Sequence, residues 1–190
     1  MNGVVKSLAV LGFVLTSAAV DVSAQTPVSF GLGGGVTIPT GSTGDALKTG
    51  WHGIAMVRFA PATIPVGFQI DGMFHRLSVD DGGLDLDLKT QIINGTANVV
   101  FSFPVSEETR FRPYLIGGVG IYNFDLKGDD APTTTESETD FGFNAGAGFD
   151  VSFGGGTFFA EGRFHNVFSE GDDAKFIPVS VGVRFGGGGS

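Results

Sequence analysis

Apolar side chains recur at every second position in eight stretches of the chain, with Gly, Ser, Asn, Asp or Arg between them. The clearest case sets Phe141, Phe143, Ala145, Ala147, Phe149, Val151 and Phe153 against Gly142, Asn144, Gly146, Gly148, Asp150 and Ser152. A β-strand turns successive side chains to opposite faces, so this period predicts strands with one apolar face and one small or polar face. The predicted strands run Val28 to Ile38, Gly50 to Phe59, Val66 to Leu77, Leu88 to Phe103, Phe111 to Phe124, Phe141 to Phe153, Thr157 to Phe168 and Phe176 to Phe185. The apolar face carries Phe30, Leu32, Val36 and Ile38 on the first strand and Trp51, Ala55, Val57 and Phe59 on the second. In the fifth strand both parities are open: one turns Asn123 to the apolar side, the other Tyr122 and Phe124.

Which solvent meets the apolar face follows from the seventh strand. Its polar parity holds Glu161, Arg163 and His165, and its apolar parity holds Phe158, Ala160, Gly162 and Phe164. An Arg on a lipid-facing position near the midplane costs roughly 2–4 kcal/mol, so the charges belong inside and the phenylalanines outside. A water-soluble ligand-carrying barrel has the reverse arrangement, with a coat of Lys, Glu and Thr; it stands as a rival reading. Arg76 and Lys89 share the apolar parity but lie near strand ends, where a long side chain reaches head groups or water. Every stretch is long enough for the roughly 9–11 residues that a tilted strand needs to cross a bilayer. Connections alternate between short (Ala60 to Pro65, Pro104 to Arg110, Gly154 to Gly156) and longer, polar ones (Pro39 to Thr49, Val79 to Asp87, Asp125 to Asp140, Ser169 to Lys175). The expected fold is all-β: an eight-stranded antiparallel transmembrane barrel, closed because lipid leaves no backbone polar group a partner outside the sheet.

Composition agrees. Of 190 residues 32 are Gly and 19 are Phe, and charged residues reach only 16%, against roughly 25% in soluble domains. The net charge of −9 excludes a nucleic-acid partner as an expectation. There is no Cys, hence no disulfide and no thiolate metal site. Met1 to Ala24 read as a cleavable signal peptide: one Lys, a short apolar run from Leu8 to Leu15, and small residues at Val22, Ser23 and Ala24. Residues 25–185 then form the barrel, and residues 186–190 a flexible Gly-rich tail.

Arg58, Asp71, Asp150, Glu161, Arg163 and Arg184 have inward parity and are expected to form a lumen network, because buried charges need partners. The alternative use of the same groups is a gated path, a narrow channel for small solutes. Eight strands leave an interior just wide enough for side chains to fill, which disfavours a pore. His52, His75 and His165 also point inward at the outer half and are the candidate Zn²⁺ or Cu²⁺ ligands; the plainer expectation is that each is a lumen polar residue and that no cofactor is bound. The run Gly31 to Gly35 lies inside a strand without a following helix, so it is no phosphate cradle; such glycines leave room for large inward side chains nearby. Asn94, Gly95 and Thr96 match a glycosylation sequon by chance. The long connections are acidic (Asp80, Asp81, Asp85, Asp87; Asp129, Asp130, Glu136, Glu138, Asp140; Glu170, Asp172, Asp173), which solvates them, or lets them bind a partner.

Three segments carry a family resemblance. Phe176 to Phe185 resembles the closing strand of bacterial outer-membrane barrels, Pro113 to Tyr122 a strand common in small barrels, and Phe159 to His165 their penultimate strand. The mature chain is similar to the OmpA/OmpX-like, opacity-type outer-membrane β-barrel family. The resemblance implies insertion into the outer membrane of a diderm bacterium, among its lipids and lipopolysaccharide, where acidic loops could bridge divalent cations to phosphates. It also implies that the barrel-assembly machinery reads the alternating Val179, Val181, Val183 and Phe185 as an assembly signal, although in the family the aromatic usually ends the chain and here residues follow it. The family includes structural anchors, adhesins, channels and a few lipid A deacylases. Those enzymes use a His, a Ser and an acid, for which His165, Ser169 and Glu161 are the candidates, at a spacing that does not match. The expected role is therefore structural or interactive, without catalysis; no surface partner is identified.

Overall fold

The computed structural model describes residues 28–61, 63–79, 89–106, 109–127, 138–169 and 171–186. The expected signal peptide and residues 187–190 of the tail lie outside them, as do most of the loop acids. Eight strands follow one another: β1 (Val28–Thr40), β2 (Gly50–Phe59), β3 (Val66–Ser78), β4 (Lys89–Ser102), β5 (Phe111–Lys127), β6 (Glu138–Phe153), β7 (Gly156–Phe168) and β8 (Ala174–Gly186). Each pairs antiparallel with the next, and β1 closes on β8, giving a barrel with no free edge. Among the described residues no helix is long and apolar enough to cross a membrane. From Phe141 to Phe153, β6 climbs about 40 Å at ~3.3 Å per residue. Tilted by about 40–45°, that is roughly 30 Å along the membrane normal, the thickness of the hydrocarbon core.

Several boundaries differ from the sequence expectation. β5 runs on to Lys127 by pairing with β4 as far as Lys89, and β6 starts at Glu138 opposite Phe124 of β5, so registered pairing continues beyond the apolar pattern. Gly186 is not tail: it pairs with Ser29 as the last residue of β8. The connection from β1 to β2 holds a short helix, α1 (Ser42–Ala46), that alternation could not reveal. Thr43 Oγ1 accepts the Lys175 backbone N–H at 2.9 Å, and Lys48 N–H donates to the Ser78 carbonyl at 2.9 Å, so this connection folds over one mouth of the barrel. At the other end the β6–β7 turn has only Gly154 and Gly155 between paired Phe153 and Gly156, and Gly155 has φ 103°, a conformation that favours glycine.

The open parity of β5 resolves to Tyr114, Ile116 and Tyr122 inward and Leu115, Val119 and Ile121 outward. Asn123 therefore faces out, where it donates to Thr139 Oγ1 at 3.1 Å. Inward glycines make room for these rings. A Cβ on Gly148 would sit 2.5 Å from the Tyr114 phenol oxygen, and one on Gly142 would sit 2.9 Å from the Tyr122 ring. The interior is consequently filled. An apolar plug of Leu77, Ile92, Tyr122, Val167 and Phe176 lies beneath the long-loop mouth, with Leu47 from the folded-over connection packed on it. Ile54, Met56, Met73 and Phe159 form a second cluster, and Val100, Tyr114 and Ile116 a third.

Candidate functional site

Ionisable groups of the described residues converge in the polar lumen, and the strand registers explain how. Strands β3 and β7 stand four places apart in a ring of eight, on opposite walls. Arg163 of β7 reaches across and donates to Asp71 of β3 at 2.9 and 3.3 Å. The same guanidinium donates from Nε to Glu161. Asp71 also accepts from Thr96 (2.7 Å), Gln69 (2.9 Å) and Asn98 (3.0 Å). Glu161 also accepts the Tyr114 phenol at 2.9 Å. A second strut crosses between β2 and β6: Arg58 donates to Asp150 at 3.3 Å and to Gln69 at 2.8 Å, with its guanidinium 4.4 Å over the Tyr114 ring. Arg184 donates to the same Asp150 oxygen and lies 5.6 Å over Phe159.

All six charged residues given inward parity, Arg58, Asp71, Asp150, Glu161, Arg163 and Arg184, are thus buried and joined, three cations to three anions. Each of the six has an opposite charge beside it, as buried charge requires, while Arg58 Nη2, Asp150 Oδ1 and Arg184 Nη1 make no hydrogen bond among the described residues. Sequence reasoning passed over the uncharged members Thr37, Gln69, Thr96, Asn98, Asn144 and Ser180, all buried. The available signal was inward parity combined with register, as in Gln69 opposite Asn98.

Nearer the long-loop end the three histidines occupy one layer but not one site. His52 and His75 share Thr37, whose Oγ1 lies 3.0 and 2.7 Å from their Nδ1 atoms. Their Nε2 atoms meet Ser180 Oγ (2.8 Å) and Asn94 Oδ1 (2.9 Å). His165 instead pairs with the Tyr122 hydroxyl at 2.9 Å and stacks on Phe176, which also packs edge-on against His75. Phe176 therefore stands between His165 and the other two, and among the described residues no group of three His, Cys, Asp or Glu side chains is placed to hold a metal ion. The hydrolase candidates are not assembled either. Ser169 donates to Asp140 at 2.8 Å, Glu161 serves Arg163 and Tyr114, and His165 faces Tyr122.

The outer wall is the converse of the lumen. Leu32, Ile121 and Val181 are 67, 62 and 60% exposed, in a belt continued by Phe30, Ile70, Ile93, Leu115 and Phe158. Val179, Val181 and Phe185 of the closing strand are exposed, and Val183 is half-buried on the same side. Soluble monomers rarely expose apolar patches above a few hundred Å²; a belt of this extent, on a closed sheet with a filled polar interior, defines an integral membrane β-barrel.

The sequence matches the outer membrane protein beta-barrel domain over residues 7–185, and the chain belongs to that family. Solved structures share the fold. Neisserial surface protein A has 13% identity and TM-score 0.58, covering 85% of this chain and 97% of that one. OprG from Pseudomonas aeruginosa has 14% identity and TM-score 0.56, covering 87% and 99%. A major outer membrane protein from Thermus thermophilus has 11% identity and TM-score 0.53, covering 84% and 99%. No curated protein matches the sequence. The chain is an integral β-barrel protein of the bacterial outer membrane.

Proposed function

We propose that this barrel is a non-conducting, non-catalytic element of the outer membrane, whose role is structural or is exercised by contacts at its long-loop end. The observation that carries the reading is the pair of struts across the lumen, Arg163 to Asp71 and Arg58 to Asp150. Side chains that meet from opposite walls leave no continuous aqueous path, and the plug around Phe176 blocks the mouth above them. With eight strands there is no spare cross-section to route around these groups. The long connections face the cell exterior and the short turns the periplasm, as in outer-membrane barrels generally. Lipid and lipopolysaccharide surround the belt, and the assembly machinery engages the outward residues Val179, Val181, Val183 and Phe185.

Planar-bilayer recording tests the reading. Purified protein is expected to give no stepwise conductance, and reproducible single-channel steps would favour the narrow channel instead. Mass spectrometry of lipid A incubated with the protein is expected to show every acyl chain retained. Loss of a chain would establish the hydrolase.

A further inference from the structure

Two cations break the rule that the outer wall is apolar. Arg76 and Lys89 lie on the outward face of β3 and β4 within two residues of the long-loop ends. The register puts Trp51 directly opposite Arg76 on one side and Gln91 opposite it on the other, with Lys89 one outward position further toward the rim. Arg76 and Lys89 are therefore diagonal neighbours, whose Cβ atoms stand roughly 7–8 Å apart or somewhat less, close enough for both heads to reach one small anion. Trp51, Arg76 and Lys89 line a cleft of about 420 Å³ with Val36, Thr49 and Ser78. Asp125, opposite Gln91, is an acid of this sector, and both it and Lys89 already take part in contacts of their own. The three lumen arginines all have carboxylate partners, whereas Arg76 has none among the described residues.

We propose that this cleft binds the phosphorylated head group of a membrane lipid in the leaflet at the long-loop end, a phosphorylated glycolipid of lipid A type. Arg76 and Lys89 would bracket one phosphate, Arg76 through its planar fork of N–H donors. Trp51 lies at the level where an amphipathic ring sits between head groups and hydrocarbon, and Val36 continues the wall into the apolar belt along which the first acyl carbons run. Placement selects a lipid over a protein partner: the two cations stand on the outward face beside exposed Trp51 and Val36 at the edge of the apolar belt, a setting that fits a ligand with an anionic head and a hydrocarbon body. This inference rests on the long connections lying in the outer leaflet.

The chain has a single Trp, so fluorescence of Trp51 reports on the cleft itself. The full mature protein in phosphatidylcholine nanodiscs is titrated with bisphosphorylated lipid A, with the same lipid stripped of phosphate, and with inorganic phosphate; native mass spectrometry counts retained lipid. The expected result is at least tenfold tighter binding of the phosphorylated form. It is lost in the Arg76→Gln/Lys89→Gln double variant and kept in Arg112→Gln, which lies at the short-turn end. Equal affinity for the two lipids, or unchanged binding by a folded double variant, would overturn the site. Competition by inorganic phosphate as effective as that by the lipid would overturn the assignment to a head group. The lipid comparison needs no variant to fold. Protease protection of the short-turn end in whole cells checks the orientation separately, so a wrong orientation and a wrong site give different results.

Discussion

Replacing Arg163 by Met leaves two carboxylates, Asp71 and Glu161, facing each other's side of the lumen without the guanidinium that bridges them. Breaking a buried ion pair by removing one partner costs about 3–5 kcal/mol, because the remaining charge is left uncompensated. Asp71 keeps its bonds from Thr96, Gln69 and Asn98, and Glu161 keeps the Tyr114 phenol. These bonds hold the expectation at the lower end, about 3 kcal/mol. Taking out the charge on both sides, in Arg163→Met/Asp71→Asn/Glu161→Gln, removes the uncompensated ions and should recover most of that loss. The assay is equilibrium urea unfolding from phospholipid vesicles, followed by Trp51 fluorescence. With a slope of about 2 kcal/mol per molar urea, the single variant's midpoint falls by about 1.5 M and the triple variant's by well under about 1 M. If water filled the lumen, the carboxylates would stay solvated. A single variant within about 0.5 kcal/mol of the parent, or a triple variant no better than the single, would therefore refute the cross-braced interior.

Two glycines of opposite orientation give a paired prediction. Gly148→Val drives a side chain into the Tyr114 ring and should abolish the heat-dependent gel shift of a folded barrel, whereas Gly162→Val, which meets nothing within 4 Å, should fold normally. Val181→Arg, on the lipid face in mid-strand, should lower stability in vesicles by about 2–4 kcal/mol, and an unchanged urea midpoint would argue against lipid contact there. Phe185→Ala should slow assembly in cells while leaving refolding in detergent intact; equal loss in both settings would make its role one of packing against Phe153.

The barrel was legible because lipid accepts only apolar side chains outside, so the outward positions of β1, β2 and β6 carry no charged side chain. The inward positions obey no such rule. Leu77, Ile92 and Phe176 are as apolar as the belt, yet they form the plug, and a period-two reading puts them on the otherwise polar parity, where their chemistry gives no signal. β5 was ambiguous for the same reason: Tyr114, Ile116 and Tyr122 inside are as apolar as Leu115, Val119 and Ile121 outside. The charged half of the lumen network stood out because a charge in lipid is expensive. Its neutral half did not, since Thr37, Asn144 or Ser180 could stand in any strand, and the meeting of Thr37 with His52 and His75 depends on barrel closure. The same closure separates the three histidines, which parity alone placed together, by inserting Phe176.

The chain lacks cysteine, so single Cys residues can carry spin labels without background. Labels at Leu32, Ile121 and Val181, compared with one at exposed Lys48 in the connection between β1 and β2, measure which solvent bathes the belt. The three belt sites should be accessible to dissolved oxygen and shielded from a water-soluble nickel relaxant, with Lys48 showing the reverse. Nickel access at Leu32, Ile121 and Val181 equal to that at Lys48 would mean that water, and not hydrocarbon, surrounds this sheet.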